Sequence, residues 1–243
     1  MSAHGAASDA VALQPVAGPA APAPATRDQI LIAAARLFAH QGYASTTLRA
    51  IADAAGIKAG SIYYHFEGKD EIAACVLDAG MEAVAAAVRD RIGALVQGAG
   101  VQRRLGAAVE GHLWGMLHHA DFTAAHIRIY RYVSDAARRR HGPARSAYTR
   151  LWDDLLGEAA AAGTLRSDMP VSMIRQYLIG ALNWPVDWYD PRRGSFEQFA
   201  AQITAMVFHG IVVAQDDAAP PQSAPGRAAA RRSSATRRAE AVR

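Results

Sequence analysis

Lys58, Ser61, Tyr63, Tyr64 and His65 lie close together, and each ends in a group that donates hydrogen bonds to an electron-rich oxygen. Ala59 and Gly60 stand among them and add no bulk, so a helix carrying this run can approach another surface closely. Thr46, Thr47 and Arg49 precede the run and Lys69 follows it, with the same donor chemistry. Such donors suit phosphate oxygens and, where a side chain reaches into a groove, base edges.

The remaining reactive residues fall into no catalytic or metal-binding pattern. His112, His118, His119 and His126 raise the metal question, because imidazoles one helical turn apart can share an ion. His112 and His119 are two turns apart, however, and His118 and His119 diverge by about 100° on a helix. With only Glu110 and Asp121 as nearby acids, they read as core or surface histidines, and no metal is expected. The chain has no Gly-x-Ser-x-Gly elbow, phosphate loop or dinucleotide-binding glycine pattern. Cys75 is the single cysteine; it sits on an apolar stripe without an activating partner, excludes an internal disulfide and suits a reducing cytoplasm. A small helical enzyme is the minor alternative, and no catalytic residue or cofactor is expected.

The donor-rich run needs elements to hold it. A first helix is predicted over residues 27–40, where Ile30, Ala33, Ala34, Leu37 and Phe38 share a face and Gly42 supplies the stop. Thr46 or Thr47 can cap a second helix over 48–55, and a short third helix follows over 59–65. Leu48, Ile51, Ile57 and Ile62 are spaced to meet between the second and third, while Ala52 and Ala55 permit a close crossing and Gly56 a sharp turn. This is the requirement of a helix-turn-helix, whose second helix must project steeply to enter a major groove. Phe66 is assigned to the core, and Tyr64 and Lys69 to the backbone of a duplex.

Further helical patterns cover residues 68–96, 101–119, 122–132, 143–162, 171–189 and 195–214, with Pro143 in a first-turn position and Gly163 as a stop. Strand-like alternation is almost absent, so the fold class is all-α. Alanine supplies 56 of the 243 residues, which favours helix over sheet. The predicted organisation is a disordered Ala/Pro-rich arm (1–25), a helix-turn-helix domain (26–70), a second helical domain (71–215) and a disordered Arg-rich tail (216–243). Prolines interrupt the longest uncharged stretch, 10–26, so no membrane span or anchor is expected. Charge is uneven: residues 26–70 carry five basic and four acidic groups, whereas the last 28 residues carry six arginines and three acids. Such a tail is usually solvated, although it can touch phosphates.

Residues 27–84 resemble the N-terminal domain of TetR-family transcriptional regulators. The resemblance rests on Phe38-Ala39, Gly42-Tyr43, Thr46-Thr47, the run Ile51 to Ile57, Gly60 with Tyr63, His65 and Phe66, and Lys69-Asp70-Glu71. It implies a homodimer on a palindromic double-stranded operator, with Thr47, Tyr64 and Lys69 at phosphates and Arg49, Lys58, Ala59, Ser61 and Tyr63 near base edges. Lys58 departs from the family pattern, in which Ser or Thr often caps the recognition helix. A lysine cannot accept the helix amide, but it places a cation beside the groove.

The resemblance implies that the second domain, 71–215, binds an effector and forms the dimer, and a small hydrophobic effector is expected. In 171–189, Ile174, Tyr177, Leu178, Ala181 and Trp188 fall close to one helical face, and Pro185 predicts a kink near Asn183 and Trp184. The segment 180–194 resembles the penultimate helix of TetR regulators that respond to acyl-coenzyme A thioesters. Trp184 and Trp188 are candidate ligand contacts or interface anchors, and Trp114, His119, Tyr130 and Trp152 are further pocket candidates, beside Met116 and Ile127. Arg128, Arg131 and the run Arg138 to Arg140 are candidates for the phosphates of coenzyme A. Phe196, Phe199, Ile203, Met206, Val207 and Gly210 read as a helix packed against its twin. The expectation is a dimeric, effector-released repressor in the cytoplasm. A DNA-organising protein without an effector is the alternative.

Overall fold

The chain is described from a computed structural model, which covers residues 26–211. The two terminal arms read from composition lie outside these residues. Eight α-helices follow in order: α1 (Thr26–Ser45), α2 (Leu48–Ala54), α3 (Lys69–Gly93), α4 (Val101–His118), α5 (Ala120–Ile129), α6 (Asp135–Ala161), α7 (Val171–Asn183) and α8 (Phe196–Ile211). Short 3-10 helices occupy Ala59–Tyr64, Trp184–Asp187 and Pro191–Arg193, and no β-strand occurs among the described residues. None of these helices is long and apolar enough to cross a membrane.

The described residues form two compact units, 26–83 with 118–146, and 84–117 with 147–211. Thus α3 and α6 each contribute to both. In the first unit Ile30, Phe38, Ile51, Ile62, Phe66, Ile72, Leu77 and Ile129 build one apolar core. Helix α1 enters it with Ile30, Ala34 and Phe38 on one face, as the spacing predicted, and its helical course breaks at Gly42, where φ is +78°. Beyond α1 and α2, the unit draws on the first half of α3 and on α5. Gly80 of α3 explains the fit, because a Cβ there would come within 2.9 Å of the Phe122 carbonyl oxygen. Arg36 Nε meets Asp121 at 3.0 Å, and the Arg128 guanidinium donates to the Ala39 carbonyl, tying α5 to α1 at both ends.

A polar chain crosses this unit. His141 Nδ1 donates to Asp78 at 2.7 Å, and His126 Nε2 meets His141 Nε2 at 3.1 Å, which joins α3, α5 and α6. Burial, followed by the nearby His141 and Arg145, lowers the His126 pKa to about 3.

In the second unit, Gly111 of α4 lies against the backbone of α3: a Cβ there would stand 2.7 Å from the Ala87 carbonyl oxygen. The fully buried His112 beside it joins three helices. The Tyr148 hydroxyl of α6 donates to its Nδ1 at 2.6 Å, and its Nε2 donates to Asn183 of α7 at 3.1 Å. Burial lowers the His112 pKa to about 4, against the opposing hydrogen bond that the ring donates to Asn183, so the imidazole is neutral near pH 7. Burial likewise pushes the Tyr148 phenol above its ordinary value.

Two boundaries differ from the sequence prediction. Helix α6 begins at Asp135, which leaves Pro143 inside it and not in its first turn. Proline there gives no amide to the carbonyl four residues back, yet the flanking Asp135–Ala161 pattern carries the helix through. The pattern over 171–189 is not one kinked helix: α7 stops at Asn183 and a 3-10 turn carries Pro185 in its first positions.

Candidate DNA interface

Thr47 is the residue that caps α2, its side-chain oxygen accepting the Ala50 amide at 3.1 Å. The chain leaves α2 through Gly56 at φ +70°, and the Ile57 amide bonds back to the Ala52 carbonyl at 3.0 Å. Leu48, Ile51, Ile57 and Ile62 pack into the core cluster as their spacing required, and Ala52 and Ala55 allow the crossing. The projecting segment is a 3-10 helix, Ala59–Tyr64, and Lys58 at its N-cap makes no side-chain capping bond. Ile62 within this helix and Phe66 just after it are both buried in the core, at 0% and 2% exposure.

That anchoring aims the donors outward. Tyr63 is 65% exposed and Tyr64 88%, and Arg49, Lys58, Ala59, Gly60 and His65 are exposed alongside Thr47, while Ser61 is half-buried. Lys69 is half-buried at the start of α3. Its ammonium donates to the Tyr43 and Thr46 carbonyls, each at 3.0 Å, and sits 4.2 Å from the Tyr43 ring centroid. An ammonium has three N–H donors, so one is left for an outside oxygen. The Tyr43 hydroxyl donates to Asp70, and burial together with that carboxylate raises the phenol well above its usual range.

Thr46 requires a correction. It is fully buried; its hydroxyl donates to the Gly42 carbonyl at 2.7 Å and accepts from Gln41 at 3.3 Å, so it shapes the turn and faces no partner. The first of two adjacent threonines is turned inward by the break at Gly42, which sequence spacing did not reveal.

The helices match known regulators as well as the local motif does. A family described as bacterial regulatory proteins, tetR family, matches residues 30–76, and one described as Tetracyclin repressor-like, C-terminal domain, matches residues 98–211. The chain is 32% identical over 204 residues to the HTH-type transcriptional repressor KstR2 of Mycolicibacterium smegmatis, covering 79% of this chain and 93% of that protein. It belongs to the TetR family. KstR2 of Mycobacterium tuberculosis is 29% identical over 194 residues, covering 76% of this chain and 92% of that one. A solved structure described as the ketosteroid transcriptional regulator KstR2 of Mycobacterium tuberculosis superposes with a TM-score of 0.66 at 27% identity, covering 78% and 96% of the two chains. The chain is thus a DNA-binding transcriptional repressor of the TetR type and not an enzyme.

The six pocket candidates of this TetR-family protein do not form one group. His119 and Tyr130 fall in the first unit, where Tyr130 stacks on His126 and lies under Arg145. In the second unit Trp152 is fully buried beside His112 and Tyr148, whereas Trp184 is 64% exposed and Trp188 is 49% exposed and edge-on to Phe199. Trp114 is half-buried. Sequence reading missed the bond from His112 to Asn183. Its one signal was a histidine in register with Leu105, Val109 and Met116 on the buried face of α4.

Proposed function

We propose that this repressor binds a palindromic operator as a homodimer and leaves it when a hydrophobic effector, of the acyl-coenzyme A thioester class, occupies the second unit. The observation that carries the regulatory half is the course of α3. This unbroken 25-residue helix begins with Lys69 and Ile72 under the recognition segment and continues to Ala87 and Val88, where Gly111 of α4 touches its backbone. A ligand that shifts α4 therefore pushes directly on α3, and a shift of α3 changes the spacing of two recognition segments that must meet successive major grooves. The driving energy is the ligand's preference for one of the two dimer arrangements.

The homodimer is supported by what α7 and α8 leave uncovered. Met173, Tyr177 and Trp184 are exposed on or just after α7, Met206 is 71% exposed on α8, and Ala200 is the one fully buried residue recorded for α8. A strongly apolar helix with that little burial suits a second copy as its cover. The Mycobacterium tuberculosis relative is described as a ketosteroid transcriptional regulator, so polycyclic acids and their thioesters belong in the first screen beside long-chain acyl groups.

The test is footprinting on the DNA upstream of the protein's own gene, followed by titration with palmitoyl-coenzyme A, a steroid-acid thioester and the free acids. One protected palindrome, lost with a thioester, is expected. Protection without sequence preference favours a DNA-organising protein, and a palindrome that no acid or thioester releases removes the effector class.

A further inference from the structure

The helix-turn-helix is poor in charge for a DNA-binding element. Residues 26–70 carry five basic and four acidic groups, and most of the five are engaged within the unit. Arg36 pairs with Asp121, Arg27 lies over the Phe66 ring, Lys69 serves two carbonyls and Arg49 stands 4.0 Å from Asp53. Association with duplex DNA is driven largely by neutralising phosphates, so the unit needs cations from elsewhere.

They occur from the end of α5, through the turn that follows it, into the first turns of α6. Residues 128–145 hold six arginines against one aspartate, more net positive charge than the +4 of the whole chain. This stretch belongs to the same compact unit as the recognition segment. It also lies beside the start of α3: Arg140 pairs with Glu71 at 3.0 Å, and a groove of about 480 Å³ is lined by Tyr43, Lys69 and Asp70 on one side and Ala136, Ala137 and Arg140 on the other. Several of the arginines have structural tasks. Arg128 holds the Ala39 carbonyl, Arg138 the Asp135 carboxylate, Arg140 holds Glu71, and Arg145 covers Tyr130. Arg131 and Arg139 are exposed; the Arg131 carbonyl accepts from Arg138 at 3.3 Å, but neither guanidinium makes a hydrogen bond or close ion pair among the described residues, and the 72% exposed Tyr132 follows Arg131 in the chain.

The geometry points to the α5–α6 turn and the start of α6 as a second, sequence-independent DNA contact, in which Arg131 from the turn and Arg139 from the helix reach the phosphates flanking the segment read by the recognition turn. Their place in the recognition unit favours duplex DNA over the coenzyme A phosphates that the arginine run first suggested. The contact sets affinity and its salt dependence, and it leaves base preference to residues 58–64.

The experiment measures affinity of the full chain for a mixed-sequence 30-base-pair duplex as sodium chloride is raised from about 50 to about 200 mM. Each lost phosphate contact lowers the slope of log K against log salt by about 0.9. The double variant Arg131→Gln/Arg139→Gln is expected to lower the slope by about 2, so its affinity falls about twelvefold less than the wild type's across that range. Arg131→Lys/Arg139→Lys should keep the slope, and Arg103→Gln in the second unit should leave it unchanged. A wild-type slope in the Gln double variant, at an unchanged melting temperature, overturns the proposal whatever that variant does to palmitoyl-coenzyme A binding. A wild-type chain that ignores duplex DNA at low salt would instead refute DNA binding itself.

Discussion

Ile62 and Tyr64 stand two positions apart on one short turn and have opposite work to do. Ile62 is fully buried among Ile51 and Phe66, whereas Tyr64 is 88% exposed. Ile62→Ala should therefore cost about 2 to 5 kcal/mol of unfolding free energy in a denaturant melt. Tyr64→Phe should melt like the wild type and bind DNA more weakly, because only a hydroxyl at the surface is lost. Lys58 tests the departure from the family pattern. Its uncapped N-terminal position predicts that Lys58→Ala weakens binding to the operator more than to a mixed-sequence duplex, with no loss of stability. Titration belongs to the same scale. The folded-state pKa of His112 lies near 4, below the ordinary 6.5, so acid protonates the unfolded chain first. Stability is full above pH 6.5 and is lost as pH falls from there toward 4. From pH 7 to pH 5 His112 alone should remove about 2 kcal/mol, measured by urea unfolding, and His126 adds to the loss in the same direction.

Among the elements, the helix contacts depend on two glycines that hydrophobic periodicity does not distinguish from their neighbours. Gly80 faces the Phe122 carbonyl and Gly111 faces Ala87 and Val88, and both contacts are backbone to backbone. Neither glycine has a positive φ, so the demand is for space. Gly111→Ala places a methyl group where no flexible side chain can yield, and should destabilise the protein by about 1 to 3 kcal/mol. If α4 and α3 part to accommodate it, operator affinity changes without any substitution near the recognition turn, which gel-shift titration of the variant would record.

For the whole molecule, the exposed faces of α7 and α8 are the decisive surface. Met206→Arg puts a charge on the face we propose is covered by a second copy, while the side chain is already 71% exposed in a single chain. Sedimentation should show dimer for the wild type and monomer for the variant, with the helical circular dichroism signal retained. Operator affinity should fall steeply, because one recognition turn then binds without its twin. A dimeric Met206→Arg chain would move the interface elsewhere.

Much of this could be learned from the order of residues alone, and for a definable reason. Helix periodicity, glycine stops and the tight register between Leu48 and Phe66 are local, so the all-α class, the helix-turn-helix and the exposure of Tyr63 and Tyr64 follow from short-range spacing. The inward turn of Thr46, the start of α6 ahead of Pro143, the chain from Asp78 to His126 and the bond from His112 to Asn183 were not legible in that way. The last two depend on residues far apart in sequence being packed together, since a side chain's periodicity records which face is apolar but carries no information about what meets it; the first two are set by local backbone geometry that residue types alone do not fix.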